Sequence, residues 1–362
     1  MTADPTAPID FFRAANVVQN LIEREVADGA PEDQASDFFV KVVDAGARIL
    51  HDRVLDRAAR FSKSADQARD EHRGEVRRVW GRALELHLMF STLAEECTTA
   101  FLARRQDEAR IAQEEIDPRL HVLCGLQARM SRLGLEVHDL LLDGFPRAAL
   151  ARARTAHELA VFAELISAHG APDGPYPNLA RRYSDHAFVQ RHQDAIAYLK
   201  IAPEAFAPDE MARFRVEYEQ VLEEHGRTMT GPHGWAVPLF PDAQKGKTIP
   251  FGDLEELAGR ASWKSHYRWA NHEVHATARS LVLNSTVTDE GKHRFGTGRE
   301  ILGLGDPSSM VMTSTLHALT SLLLGTGEND NIQSVLTLRT LTQILETANG
   351  QIVAASRASE AL

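Results

Sequence analysis

Apolar residues recur at spacings of three and four along most of the chain, and short stretches rich in glycine, proline and small polar residues interrupt them. That is the period of amphipathic helices separated by turns. Residues 10–60 read as two helices parted by the polar turn around Gly29-Ala30-Pro31. Residues 65–115 continue as a highly charged helical stretch, with Gly74 and Gly81 as the candidate break. Asp117-Pro118 has the form of an N-cap followed by a proline in the first turn. The helix it opens carries Leu123, Leu126, Met130, Leu133, Val137 and Leu140 on one stripe. Gly144-Phe145-Pro146 stops that helix and starts the next, about 146–169, which returns antiparallel and ends with Gly170 in the C′ position. Asn178 then caps a helix to about Lys200, and another covers about 208–225.

The pattern changes at 226–252, where prolines and glycines crowd around Trp235 and Phe240. An ordered loop lying on the helical body is expected there, either a lid or a strap. Helical spacing returns at 253–260 and from Ser262 to Leu283. A second irregular stretch, 284–306, ends at another cap-and-proline pair, Asp306-Pro307. Two C-terminal helices follow, joined by Gly325–Asn331, the last with Val335, Leu338, Leu341, Ile344 and Leu345 on one stripe. Neither strand-like alternation nor a fixed repeat is evident, so the fold class is all-α: a multi-helix bundle with long irregular loops at about 226–252 and 284–306. The organisation is an N-terminal helical region, 1–115, followed by a bundle domain, 116–362, or else one continuous helical domain.

Composition narrows the chemistry. A chain of 362 residues with 43% apolar and 25% charged positions has ample material for a core. Its formal charge of −11 argues against non-specific duplex binding, which needs a broad cationic face. Cys97 and Cys124 stand singly in helical stretches, with no spacing for a thiolate metal site or a disulfide framework, so buried thiols in a reducing cytoplasm are expected. The opening MTADPTAPIDFF has no cationic start and no long apolar run, so neither a secretory leader nor a membrane association is expected.

Several motifs fail on counting. Gly246-Lys247-Thr248 ends like a phosphate-binding loop, but Pro241 stands where its first glycine belongs. Gly303-x-Gly305 lacks the third glycine of a dinucleotide fold. His272-Glu273-x-His275 is one residue short of the zinc-protease spacing.

Three segments concentrate imidazoles, guanidiniums and carboxylates at helical spacing. Arg152-Ala-Arg154-Thr-Ala-His157-Glu158 puts Arg154, His157 and Glu158 on one face. Arg181-Arg182-Tyr183-Ser-Asp185-His186 sets Arg182 and Tyr183 one turn before His186. His266-Tyr267-Arg268-Trp-Ala-Asn271-His272-Glu-Val-His275 forms the i,i+4 pairs Arg268/His272 and Asn271/His275, with Arg268 and His275 two turns apart. An imidazole that titrates near neutrality moves a proton either way, and a guanidinium clamps phosphate. Together they are a minimal kit for cleaving RNA without a metal, its 2′-hydroxyl serving as nucleophile. The blander readings are an Arg154–Glu158 ion pair and core histidines with satisfied hydrogen bonds. His157, His186, His272 and His275 also have spacings that permit metal coordination.

These segments resemble a bacterial family of unknown function, domain family 5677. The likeness rests on Phe145–Ala160, on Arg182-Tyr183-x-x-His186 and on Tyr267-Arg-x-Ala-Asn-His-Glu-Val-His-Ala276, and covers about residues 118–325. A second resemblance is to HEPN domains, helical bundles that often act as metal-independent ribonucleases in defence systems. Their Arg-then-His spacing is met by Arg152 with His157 and by Arg268 with His275, although Ala153 and Trp269 stand where those enzymes carry a polar residue. The resemblance implies a dimer and an action on RNA or a nucleotide, with no cofactor and no resident metal. In that reading His275 is general acid or base, beside His272. Arg268 is the phosphate clamp, and Asn271 positions the substrate. Arg154, His157 and Glu158 form a supporting shell or the main site, and Arg152, Arg182, Tyr183, His186 and Tyr267 bind substrate. Two alternatives stand beside it: a non-catalytic binding or scaffold protein, whose His/Arg/Glu cluster is a buried network fixing helix register, and a metal-dependent hydrolase.

Overall fold

The computed structural model describes residues 11–27, 32–113, 115–241, 248–275, 277–283, 285–287, 291–326 and 332–361. It falls into two compact units, residues 1–71 and 72–362. The fold is all-α, as the spacing of apolar residues predicts.

The first unit holds α1 (Phe11–Ala27) and the opening part of α2 (Glu32–Ala112). The expected turn at Gly29-Ala30-Pro31 lies outside the described residues. The break expected at Gly74 or Gly81 does not occur, because α2 runs unbroken to Ala112. A Cβ at either glycine would meet nothing, so each is an ordinary helical position that costs about 1 kcal/mol of propensity and imposes no bend.

In the second unit α3 (Pro118–Leu142), α4 (Pro146–His169) and α10 (Gly305–Gly325) pack against one another, and α11 (Ile332–Glu360) covers α10. Asp117 caps α3 as expected, accepting from the Arg119 N–H at 2.8 Å with Pro118 at the first position. Leu123, Leu126, Met130, Leu133 and Val137 of the anticipated stripe are all buried. On α11 Leu338, Leu341 and Leu345 face the core while Val335 is exposed. The C-terminal part of α2 joins the core through Val76, Trp80, Leu84 and Phe90. The Trp80 indole N–H donates to Ile301 O at 2.9 Å. His87, fully enclosed, bridges Ser308 Oγ at 2.8 Å and Gly134 O at 2.9 Å, fixing α2 against α3 and α10. Burial pushes its pKa down to about 4, so it is neutral, donating from Nε2 to the carbonyl and accepting the serine hydroxyl at Nδ1.

Some caps differ from expectation. Gly170 has φ −95°, so α4 does not end in a left-handed residue; a Cβ there would lie 2.6 Å from Ile166 O. Asn178 makes no side-chain cap bond, and α10 begins with Leu304 as its N-cap, so Asp306 lies inside the first turn. The true left-handed corner is Gly144, φ +76°, between α3 and α4. Its carbonyl accepts from Glu300 N–H at 2.8 Å, while Arg299 donates to Asp143 O at 2.6 Å.

Two more helices, α5 (Leu179–Leu199) and α6 (Pro208–His225), pack together. From Gly226 the chain makes two 3-10 turns, Arg227–Thr230 and Gly234–Leu239, before α7 (Phe251–Leu257). The helix expected over Ser262–Leu283 is broken: a 3-10 turn, Ala261–Trp263, leads into α8 (Lys264–Val274), and α9 (Ala278–Leu283) follows after an extended His275. In the stretch 284–306, read as irregular, β1 (Ser285–Val287) pairs antiparallel with β2 (His293–Phe295), Thr286 opposite Arg294. Three-residue strands are too short for an alternation to be visible in sequence.

Candidate functional site

The middle of α4 supplies the centre of the site. His157 and Glu158 are adjacent and point in different directions, so each builds its own cluster. His157 is 3% exposed and its Nε2 lies 2.8 Å from Glu255 Oε1 on α7, itself 1% exposed. The Trp263 ring stacks on the imidazole at 5.8 Å, and Phe251 meets it edge-on at 6.0 Å. In that aromatic surrounding both charged forms are disfavoured. Burial pushes His157 down to about 4, helped by the cationic Arg260 and by His266. Burial raises Glu255 to about 7, against the pull of Lys264 and Arg268. Between about pH 4 and pH 7 the pair therefore holds one proton, carried as the carboxylic acid O–H donating to imidazole.

The outward face carries Arg154, Glu158 and Tyr267. Arg154 pairs with Glu158 at 2.8 Å and donates to the Tyr267 hydroxyl at 2.6 Å. That hydroxyl donates to Glu158 at 2.8 Å, and the guanidinium sits 4.7 Å above the tyrosine ring. Burial, then the Glu158 charge, holds the phenol firmly protonated. One layer further along, Arg260 donates to His317 Nε2 at 2.9 Å and to Glu164 at 3.2 Å. Burial and then Arg260 push His317 down to about 4, so it too is neutral. These contacts join α4, α7, α8 and α10.

The second segment builds a different object. Arg182 donates to three main-chain carbonyls, Trp235 O at 3.0 Å, Gly234 O at 3.0 Å and His225 O at 3.1 Å. His186 donates from Nε2 to Gly231 O at 2.9 Å, and burial lowers its pKa. Tyr183 meets Trp235 edge-on at 5.1 Å, and Trp235 is buried. Residues 226–239 are thus a strap fastened to α5. The three residues expected to contact substrate, Arg182, Tyr183 and His186, turn toward the chain's own backbone and indole.

The third segment is divided. Tyr267 joins α4, but Arg268 is exposed and Trp269 is 48% exposed. Asn271 is half-buried, with a buried Oδ1 that has no partner among the described residues. His272 contacts Thr277 Oγ1 at 3.1 Å. His275 is an exposed C-cap with φ −107° and ψ 138°. His275 follows the last residue of α8, two turns after Arg268, and its N–H is bonded to Asn271 O at 3.0 Å. Arg152 pairs with Glu136 at 3.3 Å on the surface. The four histidines with metal-permitting spacings do not converge; among the described residues the group that could hold an ion is Asp185, Glu224 and His225.

Glu255, Arg260, Trp263, Glu164 and His317 were not picked out by sequence. His317, the one imidazole in an apolar helix, carried a readable signal; Glu255, in a run of two glutamates, did not.

Residues 120–293 match a family of unknown function (DUF5677). The DUF5677 region contains the His157–Glu255 pair, the Arg154–Glu158–Tyr267 cluster and the strap with its fasteners, while His317 lies beyond it. No curated protein and no solved structure matches the chain. No helix is long and apolar enough to cross a membrane, among the residues described.

Proposed function

We infer that this protein is a non-catalytic helical binding protein that associates with a second copy of itself through its N-terminal unit. The supporting observation is the groove between α1 and α2, a cavity of about 840 Å³ lined by Val17, Val18, Ile22, Phe39, Val43 and Leu50. Val17, Phe39, Val40, Ile49, Leu55 and Phe61 are all exposed in the same unit. An apolar groove of this size is seldom left open on a monomer. Two helices cannot cover each other on all sides, and a second pair laid into the groove makes the four-helix arrangement that does. Doubled across a two-fold axis, these side chains bury on the order of 1,000 Å², where specific interfaces begin. The groove also carries one charge of each sign, Glu23 and Arg53, as a self-complementary interface requires.

The chemistry-bearing side chains fit this reading, since His157, Arg154, Arg182 and His186 are occupied by internal partners. A ribonuclease in the HEPN manner would draw on Arg268 and His275, whose side chains are exposed and tied to no cluster by a hydrogen bond or ion pair among the described residues; α8 ends at Val274 with His275 as its cap.

Light scattering of the full chain should give twice the monomer mass, and Val43→Glu with Leu50→Glu should give the monomer at unchanged helical content. A monomeric parent at micromolar concentration would refute the association. The same preparation should leave RNA intact; cleavage that disappears in the variant carrying Arg268→Ala and His275→Ala would reinstate the enzyme.

A further inference from the structure

We propose that Asp185, Glu224 and His225 form a binding site for one divalent first-row transition ion, clamping α5 to α6 where the strap begins. Donor atoms of the three side chains lie within 4.8 Å of one another. His225 Nε2 stands 2.8 Å from Asp185 Oδ2, a hydrogen bond that an ion held between the two atoms would replace. One imidazole nitrogen with two carboxylates is a donor set for zinc or manganese rather than for magnesium, which prefers oxygen ligands alone.

The ligands are held in place by contacts that have nothing to do with an ion. His225 is the last residue of α6, its side chain is 4% exposed, and its carbonyl accepts from Arg182 at 3.1 Å. Gly226, at φ +85°, then turns the chain away into the strap. Asp185 sits one turn into α5, on the helix that carries Arg182 and His186. The arrangement therefore needs little rearrangement to bind. Its solvent side is where Glu224 and Arg181 are exposed.

Arg181 now occupies that side. It contacts Asp185 at 3.5 Å and Glu224 at 2.8 Å, and its side chain is 60% exposed. An exposed ion pair of this kind contributes little, so a doubly charged ion displaces the guanidinium at small cost. Arg181 is a competitor for the site, and ligation through Nε2 moves the imidazole proton to Nδ1.

The test is zinc titration of the intact, untagged chain by calorimetry, with metal content of the dialysed protein and thermal midpoint read in parallel. The natural chain should take up one equivalent and gain thermal stability, since the ion binds only the folded state. Glu224→Gln, at an exposed position that leaves the core untouched, should weaken binding at least about tenfold, and His225→Gln should weaken it further. Arg181→Gln should tighten it. Absence of binding by the natural chain, or zinc bound equally by Glu224→Gln, overturns the proposal. Should His225→Gln fail to fold, the Glu224 and Arg181 variants still decide it.

Discussion

Replacing Glu255 with alanine is expected to lower the free energy of unfolding by about 2–4 kcal/mol, because it strands a buried imidazole and leaves a void beside Trp263 and Phe251. Glutamine should cost under about 1 kcal/mol near neutral pH, because its amide N–H donates to His157 as the carboxylic acid does. The two variants separate further with pH. Between pH 4.5 and 6.5 the unfolded chain carries one proton on the pair, on the imidazole. The folded chain also carries one, on the carboxyl, since Glu255 is raised to about 7 and His157 lowered to about 4. Equal proton counts leave the pair without influence on stability across that window. Glutamine removes the carboxyl, and His157 then stands alone. A histidine whose folded pKa is depressed lends stability that is complete above 6.5 and is lost as pH falls toward 4. Relative to the parent, Glu255→Gln should lose stability below pH 6.5 with a slope approaching about 1.4 kcal/mol per pH unit. His87 and His317 act alike in both proteins and cancel in the difference. Urea unfolding at a series of pH values measures it; parallel curves for parent and variant would mean that burial does not hold the His157 imidazole neutral.

Arg182→Ala should be as damaging, about 3–5 kcal/mol, because three carbonyls of the strap and the end of α6 lose their donor together. Lysine should recover little of this, since one ammonium cannot reach three acceptors that a planar fork spans. The loss is local in origin, so limited proteolysis should cut within 226–239 before the rest of the chain unfolds. A variant with normal stability and an uncut strap would return Arg182 to the role of ligand contact.

The helices were legible because their apolar stripes face a core, and the Asp117-Pro118 start because its signal is local. Breaks set by tertiary contacts were not. Gly74 and Gly81 look like interruptions but lie on a helix that nothing crowds. The helix over 262–283 looks continuous but ends after Val274. The site was half legible: helical spacing makes the Arg154–Glu158 contact inevitable. What His157 meets across the interface is decided by α7, one short helix distant in sequence, and no periodicity announces Glu255. Arg182 shows the opposite failure: an arginine beside a tyrosine and a histidine has the composition of a phosphate site, yet backbone carbonyls of a loop fifty residues on satisfy it just as well.

Three of the four tryptophans divide the chain into readable parts. Trp80 and Trp235 are sealed, one in the α2 core and the other under the strap, whereas Trp269 on α8 is half open to water. Iodide should therefore quench the α8 indole in the native protein while leaving the two enclosed ones bright, and single-tryptophan versions would turn the emission of each into a separate optical reporter of core, strap and α8.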